Sequence, residues 1–470
     1  MGTIIGRYIL PHPPVLIPEI GKKQIKEAKK TAEAFAFVAR EIAEKKPDTI
    51  IIISPHAQFF RDYFFISDQP RISGDMSQFG KKNILLGFDN HVALARAIAE
   101  NAKANGIPAG SMEHKILLRQ NMDYDLDHGI IVPMYFICHF YQDFRLVPVA
   151  LSGRSNTDHY RLGMAITEAV QHSDCRVVLI ASGDLSHKLK EDGPYGFAPQ
   201  GPEFDDLVET LLIQGDAASL LNFDNHLAEK AAQCGLYAFD ILLGTLEGYN
   251  FTTEVLSHEG PFGVGYMVAK IREKEKAPSA LARYNEICEA NLSHSVERES
   301  FPQKLARQAL RYYLETGKEM EPPQDTPKEW LEHRGGTFVC FKNRGDLRGC
   351  IGTLRATHPN LAEEIISNAV SAGTKDHRFP SIHRGELAEL SVTVDVLGPI
   401  EDIDSEQALD PHRYGVVVSG GGKRGVLLPN LEDIDTVEMQ IRVAKHKAGI
   451  NRFRPVKLQR FEVTRYGEEV

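Results

Sequence analysis

The chain opens on a pattern that recurs: a short apolar run, a polar break, then a longer stretch with apolar residues at helical spacing. Ile4–Leu10 is the first run and ends in Pro11-His12-Pro13-Pro14. Across Lys22–Lys46, residues Ala32, Phe35, Phe37, Val38 and Ile42 form one apolar stripe, which predicts a helix. Asp48–Ser54 is short, continuous and β-branched, as a strand buried on both faces must be, and it ends in Pro55-His56. Val92–Ala104 predicts a helix, Phe144–Ser152 a strand, and residues 157–172 a helix. Cys175–Ser182 predicts a third buried strand, running into Gly183-Asp184-Leu185-Ser186-His187. Residues 203–221 and 227–247 read as helices. Repeated strand–helix units predict an α/β domain with a central mixed sheet over residues 1–270.

The texture changes near residue 270. Ile271–Lys276 is a charged run, Ala277-Pro278-Ser279 follows, and residues 271–296 predict a linker with a solvated helix at 280–290. Residues 297–470 predict an α+β domain with an antiparallel sheet. Its elements are a helix at Phe301–Gly317, strands at Gly336–Lys342 and Leu347–Leu354 around the hairpin signal Asn343–Asp346, and a helix at Leu361–Ala372. Glu389–Leu397 alternates and suits a strand with one buried face. Strands at Tyr414–Ser419 and Gly425–Pro429 flank Gly420-Gly421-Gly422-Lys423-Arg424, and Glu432–Ala448 predicts the last helix. The glycine-rich segment lacks both the spacing of a phosphate loop and its following helix, so it reads as a hairpin turn.

Composition narrows the classes. The chain has 470 residues, 42% hydrophobic and 25% charged, which excludes a disordered chain or a collagen-like fibre. The net charge of -10 supplies no global basic field, so no nucleic-acid partner is expected. No run approaches the ~20 apolar residues of a membrane span, and the N-terminus lacks the form of a signal peptide. No membrane partner is expected. The six cysteines form no CxxC pair; read as unpaired, they point to a reducing, cytoplasmic setting.

The 18 histidines carry more. His12, His56 and His187 each fall just beyond the C-terminal end of a predicted strand. In an open α/β sheet those ends gather at one edge, where the ligand crevice lies. Singly each reads as a satisfied loop histidine. Together they predict a shared site, because imidazole is both the commonest metal ligand and the usual acid–base group near neutral pH. His258-Glu259-Gly260 reads as a turn.

Four segments in order, LPHPPVLIPEIG at 10–21, IIIISPHA at 50–57, DYDLDHGIIVPM at 123–134 and SGDLSH at 182–187, resemble the class III extradiol dioxygenase (LigB-type) superfamily, and within it the Memo-like branch. The resemblance implies an α/β core around a metal site. It makes His12 and His56 ligands, His187 an acid–base group and His128 a pocket residue. Where ring-cleaving members carry a ligand glutamate, this chain has Cys234, as Memo-like proteins do; Asp184 fits the same branch. The plainer alternatives are a small buried core residue for Cys234 and a turn cap for Asp184. Two imidazoles and a carboxylate suit iron, dioxygen and a catechol, whereas a thiolate makes a softer site for copper or zinc that still admits iron. The expected cofactor is one divalent metal, Fe(II) first, with Cu or Zn as alternatives.

Leu347-Arg348-Gly349-Cys350-Ile351-Gly352 resembles the signature of the AMMECR family, with LARQAL at 305–310, HRFP at 377–380 and GVLLPN at 425–430 in agreement. Arg348 beside the Cys350 thiol would favour the thiolate and receive an anion, and His377 would complete a nucleophile site. The plain alternative is a strand with a buried cysteine and a surface arginine. The fusion resembles the AmmeMemoRadiSam system, which implies a radical SAM protein as partner. The expected activity is that of a metal-dependent, dioxygenase-like oxidoreductase acting on a small-molecule substrate or a modified residue, with dioxygen. Two alternatives are a catechol dioxygenase and a non-catalytic scaffold for the radical SAM partner.

Overall fold

The computed structural model describes residues 1–120, 122–343, 346–431 and 434–467. They form two compact units, Met1–Ile287 and Cys288–Val470, divided within the helix Ala280–Glu297.

The first unit is built on a six-stranded sheet. Its order is Arg145–Ala150, Thr49–Ser54, Arg176–Ser182, Thr3–Leu10, Tyr266–Lys276, Tyr249–Glu259. The first four strands are mutually parallel and the last two antiparallel, so the sheet is mixed as expected. Thr49–Ser54 is buried at every position because it has a strand on each side and packed residues on both faces. One face packs Phe35, Val38 and Ile42 of the helix Lys29–Lys45 against Ile50, Ile52, Val178 and Ile180. Full burial of each such side chain contributes about 1.5–3 kcal/mol.

Four sequence expectations change here; the helix expected over 203–221 is two, Gln200–Gln214 and Ala217–Leu221, parted at left-handed Gly215. The helix expected over 22–46 is regular only from Lys29 to Lys45. The helix expected over 227–247 is two helices, Asn225–Ala231 and Leu236–Gly244, with Ala232 left-handed (φ 53°) between them. Cys234 sits in that break. The charged run Ile271–Lys276 is strand rather than linker. Beyond Ile271 the strand leaves the core and continues as a two-stranded ribbon with Tyr249–Glu259, so its side chains are exposed and polar.

The second unit is α+β with two antiparallel four-stranded sheets. One is ordered Asp346–Gly352, Thr337–Asn343, Leu390–Leu397, Val463–Tyr466; the other Glu401–Ile403, Lys457–Phe461, Gly415–Gly420, Lys423–Leu427. Helices Phe301–Thr316 and Leu361–Thr374 cover the first sheet and Val437–Lys447 covers the second. Of the expected hairpin turn at Asn343–Asp346, Arg344 and Gly345 lie outside the described residues. The antiparallel register sets Cys340 directly opposite Cys350, and the two are joined as a disulfide, whereas Cys138, Cys175, Cys234 and Cys288 form none. The reading of all six cysteines as unpaired is therefore corrected. Among the described residues, no helix is long and apolar enough to cross a membrane.

Candidate metal centre

The parallel strands deliver the site. Thr3–Leu10 ends two residues before His12, Thr49–Ser54 two before His56, and Arg176–Ser182 two before Asp184. Because these strands are adjacent and parallel, their ends bring the three loops to one sheet edge. His128 arrives on the first turn of the helix His128–Cys138, which Asp127 caps by accepting the Gly129 N–H. Cys234 arrives from the break between two helices. The Gly183–Gly235 contact permits this approach: a Cβ on Gly183 would lie 2.3 Å from the Gly235 Cα.

The Nε2 atoms of His12 and His56 are 2.9 Å apart, and the ligand atoms of His12, His56 and His128 all lie within 4.8 Å of one another. The His12 and His56 rings meet edge to face, and the His56 and His128 rings stack at 4.3 Å. The Cys234 Sγ lies 3.7 Å from His12 Nε2.

The hydrogen bonds fix the tautomer of His12. The Ser182 hydroxyl donates to the Gly129 carbonyl at 2.6 Å, so its oxygen is left to accept from His12 Nδ1 at 3.0 Å. His12 therefore carries its proton on Nδ1 and turns the Nε2 lone pair into the cluster. This is how metal-binding imidazoles are oriented from behind. Burial, with His56 and His187 nearby, holds His12 neutral far below the usual imidazole range. His128 differs: its Nδ1 accepts from the Gln78 side-chain amide at 3.2 Å, which leaves the proton on Nε2. Burial pushes its pKa down to about 3.

Asp184 is buried, and its Oδ1 accepts the His12 backbone N–H at 2.8 Å. Burial pushes its carboxyl up to about 6. Its backbone N–H points to Cys234 Sγ at 3.3 Å. Burial, reinforced by Asp184, drives the Cys234 thiol well above its usual range. A bound cation at the sulfur reverses that sign, since a coordinating thiol loses its proton. The His187 ring stacks beside Tyr195 at 5.1 Å, and its Nε2 is buried with no hydrogen-bond partner among the described residues. Burial lowers its pKa, against the pull of Asp184. The His12 Nε2 lone pair set 2.9 Å from His56 Nε2, a sulfur beside them and an orphaned imidazole nitrogen fit a soft or borderline divalent metal.

Sequence reading missed the support behind His187. His258 is not a simple turn histidine. Its Nδ1 bonds Glu209 at 2.7 Å and its Nε2 approaches Asp205 at 3.4 Å, while Asp205 accepts the Ser186 backbone N–H at 2.7 Å. The two carboxylates raise His258 to about 9 against the opposing effect of burial. A histidine and two acids spread over residues 205–258 leave no local sequence signal.

In the second unit the expected nucleophile site does not form. Cys350 is bonded to Cys340 and offers no free thiol. Arg348 is committed to Glu386 in a two-pronged ion pair at 2.7 and 3.0 Å, and to the Pro380 carbonyl. His377 is exposed, whereas its neighbour Asp376 turns inward, accepts the Cys350 N–H at 2.9 Å and pairs with Arg378. The arrangement braces a strand against a turn.

Comparison with known proteins agrees with this division. Residues 6–269 match the family described as the catalytic LigB subunit of aromatic ring-opening dioxygenase, and residues 303–470 match AMMECR1. A protein of Clostridium acetobutylicum is 40% identical over 467 residues, 99% of this chain and 100% of its own. A Thermotoga maritima protein is 47% identical over 165 residues, 35% of this chain and 95% of its own. A crystal structure of a Pyrococcus horikoshii protein aligns with TM-score 0.34 and 34% identity, covering 37% of this chain and 92% of its own. Over residues 6–269 the chain belongs to the LigB family of ring-opening dioxygenase subunits, and it carries an AMMECR1 domain fused behind.

Proposed function

We propose that the N-terminal unit is a metal-dependent oxidoreductase of the Memo-like type, holding one divalent metal through His12, His56 and Cys234. The observation that carries this reading is the forced Nδ1–H tautomer of His12, which aims its lone pair at a point shared with His56 and beside the Cys234 sulfur. His128 is closer to His56 in ring packing, but its Nδ1 is already engaged, so it serves as an Nε2–H donor at the rim. Fe(II) is the first candidate, with copper or zinc admitted by the thiolate. When bound, the metal supplies Lewis-acid and redox chemistry.

The residues supply the rest. Asp184 holds the His12 loop through its backbone N–H and stands beside His187 as a countercharge. His187, neutral and with Nε2 unpartnered, takes or returns a proton at that atom. Phe79 and Tyr195 border His128 and His187. The substrate is a small molecule or a modified residue, with dioxygen as co-substrate. A cysteine in place of the carboxylate ligand weighs against simple catechol cleavage. The fused AMMECR1 domain supports a radical SAM protein as partner and a cytoplasmic setting.

Elemental analysis of the full chain purified without oxygen tests this reading. One metal per chain is expected, lost in His12→Ala and His56→Ala and kept in His128→Ala. Wild-type metal content in either of the first two variants overturns it.

A further inference from the structure

The charge of the second unit is unevenly distributed. The chain carries a net charge of -10, yet residues 439–461 contain no aspartate or glutamate, and neither do residues 411–431. The fold brings these two segments together. Strands Gly415–Gly420 and Lys423–Leu427 are joined by the two-residue turn Gly421-Gly422, whose φ angles of 62° and 74° suit glycine. Strand Lys457–Phe461 lies on the other side of Gly415–Gly420, so the loop 449–456 lies against the same turn. Lys423 Nζ donates to the Gly449 carbonyl at 2.7 Å, and the Arg454 guanidinium lies where a Gly421 side chain would be.

Lys423, Arg424, Lys447, Arg452 and Arg454 are all exposed there, and among the described residues none of them has an acidic partner. The acids of the neighbouring strand are taken by other cations, Asp402 by Lys457 and Glu401 by Arg460. Between Arg452 and Arg454 in the chain stands Phe453, 79% exposed, with the Arg452 guanidinium 4.4 Å from its ring centre. An unpaired cationic surface attracts a polyanion. An aromatic ring left in water between two arginines adds a requirement that a simple acidic peptide does not meet, namely a flat group to stack on it.

We propose that this corner of the C-terminal unit binds single-stranded nucleic acid, with Lys423, Arg424, Arg452 and Arg454 on phosphates and Phe453 stacked on a base. The expectation of no nucleic-acid partner came from the global charge, which averages this patch away. Duplex is the poorer fit because its bases are already stacked and Phe453 would have no face to meet.

The test is fluorescence anisotropy of the full chain with a labelled oligouridylate of about 20 nucleotides. With about four phosphate contacts, affinity should fall about 50-fold between ~50 and ~200 mM salt. The triple variant Lys423→Glu/Arg452→Glu/Arg454→Glu should lose more than tenfold, and the Lys423→Arg/Arg452→Lys/Arg454→Lys variant should recover most of it. Phe453→Ala should lose about fivefold or more. Circular dichroism and metal content of these surface variants should match wild type. No binding at ~50 mM salt overturns the proposal, as does binding that survives the triple variant. If polyglutamate or duplex DNA competes as well as the oligouridylate, and Phe453→Ala has no effect, the surface is a general polyanion site and the assignment to single strands fails.

Discussion

The hydroxyl of Ser182 stands 3.0 Å behind the Nδ1 of His12, and because it already donates to the Gly129 carbonyl, it can only accept from that nitrogen. Residue 182 is the last of its strand and residue 12 follows the end of the neighbouring parallel strand, so strand pairing itself sets this contact. Ser182→Ala removes the acceptor without removing a proposed ligand. Metal affinity should fall about 10–100-fold, as for other partners that orient a metal-binding imidazole, while the sheet stays folded. Competition with a metal-selective chelator measures this; unchanged affinity would show that the tautomer is not set from behind.

The site depends on two glycines in contact. In Gly183→Ala the new Cβ would lie 2.3 Å from the Gly235 Cα, a backbone atom that cannot swing aside. The loops bearing Asp184 and Cys234 must separate, and thermal unfolding should report a loss of about 1–3 kcal/mol. Metal retention should fall with it. A variant as stable and as metal-rich as wild type would mean that the loops need not touch.

His258 gives the first unit a pH dependence. Its pKa is raised to about 9 by Glu209 and Asp205, above the free value of about 6.5. A group raised on folding contributes stability that is fully present below about pH 6.5 and is lost as pH rises through about 9. The loss should amount to at most about 3–4 kcal/mol. Denaturant midpoints of the wild type should therefore fall between pH 7 and 10, and His258→Gln should flatten that slope. Because Asp205 also holds the Ser186 N–H, the same variant should loosen the His187 loop, seen as faster amide exchange there.

The strand ends were legible because buried parallel strands are continuous apolar runs, with His12 and His56 two residues beyond them and His187 five. Cys234 was legible only through family resemblance, since its surroundings read as unbroken helix until Ala232 turns left-handed. The hairpin Tyr249–Glu259 and Tyr266–Lys276 was hidden because its outer half is a solvated ribbon, whose charges resemble a linker. The Arg348–Glu386 pair and the Cys340–Cys350 bond were invisible for another reason. Both are cross-element contacts, one set by antiparallel register and the other by the short helix Arg384–Glu389 reaching the strand, and spacing along the chain encodes neither.

The Cys234→Ser variant separates a thiolate ligand from a bystander. If Cys234 is a ligand, zinc and copper affinity should fall more steeply than iron affinity, because the softer metals lose their preferred donor. Equal losses for all three metals, or none, would remove the sulfur from the site.

The most direct test is X-ray absorption at the metal edge of the full chain loaded with one equivalent of zinc. The account predicts one sulfur at about 2.3 Å and at least two imidazole nitrogens at about 2.0–2.1 Å. The sulfur should vanish in Cys234→Ser and one imidazole in His12→Ala. A shell of nitrogen and oxygen alone, unchanged by Cys234→Ser, would contradict it and leave the centre to His12, His56 and His128.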